Sequence, residues 1–562
     1  IDSRKGSKNS IAEALTNIVF APLEKGIHSI SLSANWMWPC NNPGEDSRLY
    51  EAVEECSKFA IDLGINIPTG KDSLSMKQKY SNYDVLSPGT VIISAAGQCS
   101  DVKNIIKPVA TAKGGEIFYV DFSQDEFYLG GSSFAQSQEC IGNDTPGVTD
   151  ALYFKRAFNT VQDHIKAGKI SAGHDIGSGG LITSLLEFCF PSLNIGIDLD
   201  FSCLEETDLV KILFSEKVGL ILQSNFDLNS SFSKNGIKAS KIGFVNQSSS
   251  LKIGKNNISI NDMRKEWMKT STQFELKQTN SELALVRLDN VIKQPLKFKF
   301  PIEFYGKRPL QKEKRLNAAV IREKGSNSER EMAYMMDLCG FKVRDVHMTD
   351  LIKGRETLED IQLLVAVGGF SNSDVLGSAK GWAGAFKYNT KAKAALENFF
   401  SRTDTLSLGV CNGCQLFIEL GLLYTNHIQK PKMMHNKSGK FECIFTAVNI
   451  KPSSSIMLKG LEGSTLGIWA AHGEGKFNLP YAEQEYNIVG KYGHSAYPAN
   501  PNGSDYNTAI MTSTDGRHLV MMPHCERSIF PWNWGNYPAD RNDEVTPWLE
   551  AFENARKWCL EH

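Results

Sequence analysis

Two cysteines three apart, Cys411 and Cys414, stand in the stretch LSLGVCNGCQLFIELGLL between Leu406 and Leu423. That spacing can serve a redox pair, half a metal site, or one reactive thiol beside a bystander. The neighbours favour the third. Glycines stand two before and two after Cys411, in Gly409-Val410-Cys411-Asn412-Gly413. This is the pattern of a nucleophile elbow with Cys in place of Ser. The short apolar run LSLGV reads as a buried strand and CQLFIELGLL as a helix. The turn between them sets the sulfur at a helix N-terminus, which favours the thiolate and lowers the pKa below its usual value of about 8.5. It also leaves the backbone N–H of Asn412 free to meet an oxyanion. Cys414 lies one turn further on and is carried into the helix. The plain alternative is a buried structural thiol at a strand end.

A thiolate needs a base, and the base an orienting group. Among 11 histidines, two stand in His-x-Glu after an apolar strand: His472 with Glu474 in AAHGEGKF, and His524 with Glu526 in VMMPHCERSIF. In extended backbone, residues i and i+2 point to the same side. Either pair therefore presents imidazole and carboxylate together, and the residues alone leave the two equal. Gly368 and Gly369, in VAVGGFSNSDVLG, close another buried strand and can offer backbone N–H groups to a developing negative charge. A routine turn is the alternative there.

Nearer the start, Glu13 and Asn17 in AEALTN are i, i+4 on one helix face, with Ser10 as the expected N-cap. They are oxygen donors of the kind Mg²⁺ takes, although most such pairs are simply solvated. Asp175 in SAGHDIGSGGLITSLLEF precedes a glycine-rich helix start, where Gly177, Gly179 and Gly180 allow a phosphate to approach backbone. A capped helix after a loop fits equally well.

The elements that hold these residues follow from the pattern. The chain has 562 residues, 41% of them hydrophobic, and a net charge of −2. That is three to four domains with real cores, a poor partner for nucleic acid, and no apolar run long enough for a membrane helix. Twelve scattered cysteines read as reduced thiols in a cytoplasmic protein. No second C-x-x-C and no C-x-x-C…H-x-x-x-H stands in the chain, which argues against a closed zinc site. The chain opens on Ile1 with no signal peptide and no starting Met, and reads as a piece of something longer. HSISLSANWMW, GTVIISAAGQC and EIFYVDF read as strands and DSRLYEAVEECSKFAIDLG as a helix stopped by Gly64. Residues 257–310 form a charged, partly helical connector. Beyond 315 the strand–helix alternation predicts a three-layer α/β domain on a mostly parallel sheet.

Long and uncommon motifs run through almost the whole chain: AEALTNI, LSANWM, PGEDSRLYEAV, IPTGKDSLSM, HDIGSGGL, GGFSNSDVLG, GVCNGCQ, HGEGKF and MMPHCERSIFPW. In these the chain resembles the C-terminal part of the large, single-chain phosphoribosylformylglycinamidine (FGAM) synthases, glutamine amidotransferases of purine biosynthesis. The resemblance implies an α/β and α+β multidomain protein. Residues 1–105 would be a PurM-like (AIR synthetase-like) N-terminal-type domain, truncated at its start. Residues 106–256 would be a PurM-like C-terminal-type domain, 257–312 a connector, and 313–562 a class I glutaminase. It implies Cys411 as nucleophile, His524 as base and Glu526 as its orienter, which separates the two His-x-Glu pairs. His472 and Glu474, with Asn436, Ser438 and Glu442 of NKSGKFE, would join Gly368, Gly369 and Asn412 around glutamine. Glu13, Asn17 and Asp175 match Mg²⁺ ligands, and Gly177 falls where an ATP-contacting Ser is common.

The implied partners are L-glutamine, ATP or ADP, Mg²⁺ and formylglycinamide ribonucleotide (FGAR), with no nucleic acid and no membrane. A first PurM-like half, which would complete the FGAR site and supply a further Mg²⁺ ligand, is expected upstream of Ile1. Two departures stand out. Cys525 replaces the Pro common between His and Glu. HDIGSGG replaces D-x-S-D-G-G, which removes a hydroxyl and a carboxylate beside the nucleotide. The competing readings are a stand-alone cysteine hydrolase on the same elbow and a half-ring that binds a nucleotide only structurally.

Overall fold

The computed structural model describes residues 1–310 and 314–562, in two compact units, Ile1–Lys269 and Thr270–His562. The expected boundary at 312/313 lies outside the described residues. No helix among them is long and apolar enough to cross a membrane.

The first unit opens on the helix Ser3–Ile18. Its N-cap is Asp2, whose carboxylate accepts the Lys5 N–H at 2.9 Å. Ser10, expected in that role, lies mid-helix with its hydroxyl on the Gly6 carbonyl. The first two turns are polar, so apolar spacing marks only the second half of the helix. Ile11, Ala12 and Leu15 seat that half in the core. A three-stranded sheet follows in the order Asn66–Ser73, Ile30–Met37, Thr90–Gly97. The helix Glu45–Leu63 stops at Gly64, which takes the left-handed conformation (φ 73°) an ordinary C-cap needs.

A seven-stranded sheet carries the rest of this unit, with Ala239–Asn246 at its middle, Glu116–Asp121 beside it and Ala172–Asp175 at one edge. Phe154, on the helix Ala151–Lys166, packs edge-on against Phe59 and Phe122, so the two sheets share one hydrophobic core. From the edge strand the chain turns through Gly177-Ser178-Gly179 into the helix Gly180–Cys189. The charged stretch after 257 forms two helices, Ile260–Gln278 and Ser281–Asn290. The division between the units falls inside the first of them.

The second unit is built on a nine-stranded sheet. Five strands run parallel, in the order Phe341–His347, Leu316–Arg322, Leu363–Ala366, Leu406–Val410, His518–Met521. Short apolar runs such as LLVA and LSLGV are buried on both faces, as central parallel strands are. The expectation of a mostly parallel sheet covers this half alone. Beyond His518–Met521 the sheet continues antiparallel through Thr508–Thr512, Ile488–Tyr492, Glu442–Ile450 and Thr465–His472. Those strands are joined without α-helical crossovers, the connections holding only the 3-10 turns Glu483–Glu485 and Asp505–Asn507, which is what antiparallel pairing allows.

Candidate active site

The Cys411 turn is tight because two glycines let it be. A Cβ on Gly413 would stand 2.0 Å from the Ala366 carbonyl oxygen, and one on Gly409 would stand 2.6 Å from the Gly413 carbonyl. Strand and helix approach this closely only without side chains there. Cys411 takes φ 51° and ψ −105°, a conformation non-glycine residues avoid at a cost of about 1–3 kcal/mol. Its N–H is anchored on the Met521 carbonyl at 2.9 Å. The helix Asn412–Leu420 starts at the next residue. Cys414 is fully buried within it, and burial, with Cys411 nearby, holds its thiol well above the usual range.

His524 follows the neighbouring strand, and its N–H donates to the Trp469 carbonyl at 2.7 Å. Its Nδ1 lies 2.6 Å from Glu526 Oε1, both side chains out of solvent. The pair does not meet along extended backbone. His524 is extended (φ −101°, ψ 99°), but Cys525–Arg527 form a 3-10 turn that brings the carboxylate back under the ring. Cys525 is buried, and burial followed by the Glu526 charge raises its thiol. Burial pulls the pKa of His524 down, but Glu526 and the Cys411 sulfur outweigh it and lift it from 6.5 to about 10. Burial likewise works against the charged form of Glu526, and His524 reverses it, leaving that carboxyl below its ordinary value.

Gly368 lies against both groups. A Cβ there would come within 2.7 Å of His524 Cε1 and 3.4 Å of the Cys411 Cβ. Next to it, the bonds Asn327 N to Gly368 O and Phe370 N to Gly325 O flank Gly369 and leave its own N–H outside the ladder. The Asn412 N–H, at the first helical position, has no intrahelical acceptor. Asn412 itself is buried. Its Oδ1 accepts the Ser371 N–H and its Nδ2 donates to Gln415.

A cavity of about 270 Å³ opens onto Cys411, and Gly369, His472 and Glu474 line it. His472 and Glu474 do not pair. Glu474 accepts the Ser378 N–H at 3.2 Å, while His472 Nδ1 has no hydrogen-bond partner among the described residues and its Nε2 lies 3.5 Å from Asn502 Nδ2. Burial, then the charge of His524, depresses His472 to about 3, so it stays neutral. Asn436, Ser438 and Glu442 stand outside the lining. Asn436 is spent on the backbone of His472, Lys440 and Gly475. The Ser438 hydroxyl is buried and has no hydrogen-bond partner among the described residues. Glu442 accepts from Arg287 and from the Tyr497 hydroxyl. Lining residues that sequence reasoning passed over include Asp374, Ser378, Gln415 and Lys440. Only the Gln415 position, one turn past the nucleophile, carried a signal.

In the first unit, a cavity of about 240 Å³ is lined by Asn9, Glu13, Gly177, Ser178 and Glu216. Desolvation, then Asp175 and Glu216, raises the Glu13 carboxyl. Asn9 Oδ1 is buried without a hydrogen-bond partner among the described residues. Glu13 and Glu216 are the carboxylates of the lining, Asp175 stands outside it, and among the described residues no group of three or more His, Cys, Asp or Glu is set to hold a metal ion by itself. Asn17 is exposed and stands outside the lining. Glu216 is also bound to the N–H groups of Ser133 and Gly179. A Cβ on Gly177 would meet nothing within 4 Å, so that turn faces open space.

Three family models match the chain in sequence. Residues 1–98 match the FGAR-AT PurM_N-like domain, 128–255 the AIR synthase related protein C-terminal domain, and 315–559 the CobB/CobQ-like glutamine amidotransferase domain. The probable phosphoribosylformylglycinamidine synthase of Arabidopsis thaliana is 38% identical across 99% of this chain and 42% of its own length. The human phosphoribosylformylglycinamidine synthase is 34% identical across 100% of this chain and 45% of its own length. The chain thus spans less than half the length of these relatives. Among solved structures, PurLQS from Thermotoga maritima overlaps 44% of this chain and 99% of its own at 24% identity, with a TM-score of 0.34, too slight a likeness to build on. Three domain models match in order, and similarity to phosphoribosylformylglycinamidine synthases runs along the whole of this chain.

Proposed function

We propose that this chain supplies the glutaminase and part of the synthetase core of an enzyme that converts FGAR to FGAM with glutamine and ATP. The observation that carries the reading is Cys411 on its strained elbow beside the His524–Glu526 pair, within the region matching a glutamine amidotransferase domain. Cys411 attacks the side-chain amide carbon as the thiolate that protonated His524 favours. The Asn412 and Gly369 N–H groups receive the oxyanion. His524 passes its proton to the leaving nitrogen, ammonia departs, and a glutamyl thioester remains. His524 then takes a proton from water, which attacks the thioester and releases glutamate.

The ammonia goes to the synthetase part, where ATP activates the FGAR amide oxygen and ammonia displaces phosphate. In the first unit, Glu13, with Asn9 and Glu216 of the same cavity and Asp175 near it, would hold Mg²⁺ only together with oxygens of nucleotide phosphates, which the Gly177 turn would admit. There the ion would offset the negative charge that phosphates and carboxylates share. With Cys411→Ala in the complete enzyme, glutamine-dependent FGAM formation is abolished and ammonium-dependent formation persists. Retention of glutamine-dependent activity by that variant overturns the reading.

A further inference from the structure

One wall of the cavity in the first unit is built from two glycine-rich turns that lie far apart in the chain. Gly130 and Gly131 lead into the short helix Ser133–Ser137, and Gly177-Ser178-Gly179 leads into the helix Gly180–Cys189. Gly130, Gly131, Gly177 and Ser178 all line the cavity. Gly131 and Gly179 take φ of 76° and 87°, the left-handed region that glycine enters without strain. The same freedom leaves a turn loose, so the two keep one register only if something ties them.

One carboxylate oxygen does so. Glu216 Oε1 accepts the Ser133 N–H and the Gly179 N–H, each at 2.8 Å. Hydrogen bonds from backbone N–H groups to a carboxylate are among the strong ones. The flanking residues fix the aim of this side chain. Ser215 is buried and donates its hydroxyl to the Tyr128 carbonyl at 2.7 Å, and Phe214 stacks on Phe134 with ring centroids 4.6 Å apart. On the other side Lys217 is buried, with its Nζ 3.0 Å from Asp121 Oδ2. The second turn presses on the same segment, since a Cβ on Gly180 would stand 2.8 Å from the carbonyl oxygens of Leu213 and Ser215. Residues 213–217 therefore touch both turns, and Glu216 bonds to both through a single atom.

We infer that Glu216 is a positioning residue for nucleotide binding: its Oε1 staples the 130–133 turn to the 177–179 turn, so that both meet the phosphates of a bound nucleotide as one surface. The assignment rests on the nucleotide reading of the cavity and deepens it. A staple needs an acceptor oxygen and no charge. The part that Glu216 takes beside a cation needs the charge. A carboxylate that merely occupied N–H groups wanted by phosphate would have to leave when nucleotide binds, and its removal would tighten binding. The anchored neighbours on both sides favour a staple that stays.

The test compares the full wild-type chain with Glu216→Gln, which keeps an acceptor oxygen and loses the charge, and with Glu216→Ala, which loses both. The first readout needs no ligand: amide hydrogen exchange at Ser133 and Gly179, followed by mass spectrometry. Exchange at both amides rises at least tenfold in Glu216→Ala and stays within threefold of wild type in Glu216→Gln. The second readout is calorimetric binding of ADP with Mg²⁺, and of adenosine, which has no phosphate. Glu216→Ala weakens ADP at least tenfold more than Glu216→Gln does and leaves adenosine within twofold. Exchange that stays within twofold at both amides in Glu216→Ala overturns the staple. So does equal damage to ADP binding by the two substitutions, a parallel loss of adenosine, or tighter ADP binding in Glu216→Ala. If the wild type binds no ADP with Mg²⁺, the nucleotide reading falls and the assignment with it, whatever the exchange rates show.

Discussion

His524 Nδ1 and Glu526 Oε1 stand 2.6 Å apart in a site closed to solvent, and the carboxylate is the main influence holding a proton on the ring against burial. Glu526→Gln keeps the shape and removes the charge. Burial then acts on the imidazole with only Cys411 to oppose it. The imidazolium that donates to leaving ammonia becomes scarce, and kcat for glutamine hydrolysis falls by about 10²–10⁴-fold. A loss under threefold shows that another group serves as the acid.

His472 has the same His-x-Glu setting in the sequence but no carboxylate partner and no charge; its Nε2 lies 3.5 Å from Asn502 Nδ2. Its carboxylate neighbour is turned to Ser378, and the ring is held neutral. His524→Asn therefore loses kcat by about 10²–10⁴-fold, while His472→Asn, which alters a cavity wall, acts chiefly through KM. Steady-state kinetics of both variants separate the roles. A kcat collapse confined to His472→Asn reverses the assignment.

Gly368→Ala tests the crowding around the nucleophile. The added methyl would lie 2.7 Å from His524 Cε1, far inside contact distance, and 3.4 Å from the Cys411 Cβ. The ring must move, and displacements of about 1 Å at reacting groups cost on the order of 10²-fold. Glutamine hydrolysis drops by at least that factor. The thermal midpoint falls by only a few degrees, since overpacking one methyl costs about 1–3 kcal/mol. Circular dichroism melts alongside kinetics distinguish this from unfolding.

Much of this arrangement is legible in the residues, and the remainder hides for physical reasons. Gly409 and Gly413 flag the elbow because no other residue fits where a Cβ would strike the Gly413 and Ala366 carbonyls. The parallel strands show as short apolar runs because they are buried on both faces. The antiparallel half of the sheet alternates weakly and was not foreseen. The His524–Glu526 contact follows from sequence neighbours, but its geometry depends on a 3-10 turn that i, i+2 reasoning does not anticipate. Asp374 is the clearest omission. It sits in a polar loop with no periodicity, and only tertiary structure brings it beside Glu474, a hundred residues away. Asn436 and Glu442 show the converse, since polar residues in a good motif turn out to bind backbone and Arg287.

In the first unit, the charges of Asp175 and Glu216 add to burial in working against the charged form of Glu13. Glu13→Gln relieves that repulsion. Without Mg²⁺ and nucleotide the variant melts higher than the wild type. With both present the order reverses, because ligand stabilisation scales with affinity and one donor has been weakened. A variant that melts lower in both conditions shows a structural role for the carboxylate and no cation site.

Acid should destabilise the protein before its carboxylates titrate. His472 and His518 are buried, and burial first of all lowers them from 6.5 to about 3 and about 4. Below pH 6.5 the unfolded chain takes up protons at both positions while the native chain does not. Each depressed histidine removes about 1.4 kcal/mol per pH unit until its own folded pKa is reached. His524 has the opposite sign. Its folded pKa is raised to about 10, so its contribution is complete below 6.5 and is lost as pH climbs through 10. Urea unfolding between pH 7 and 5 reads the acid limb. His518→Asn, which removes a ring hydrogen-bonded to Ser407 and packed at a tilt against Phe400, lowers stability at pH 7. It also flattens the pH slope by about half between 6.5 and 5, because one of the two titrating groups is gone. An unchanged slope in that variant means that His518 is protonated in the folded chain.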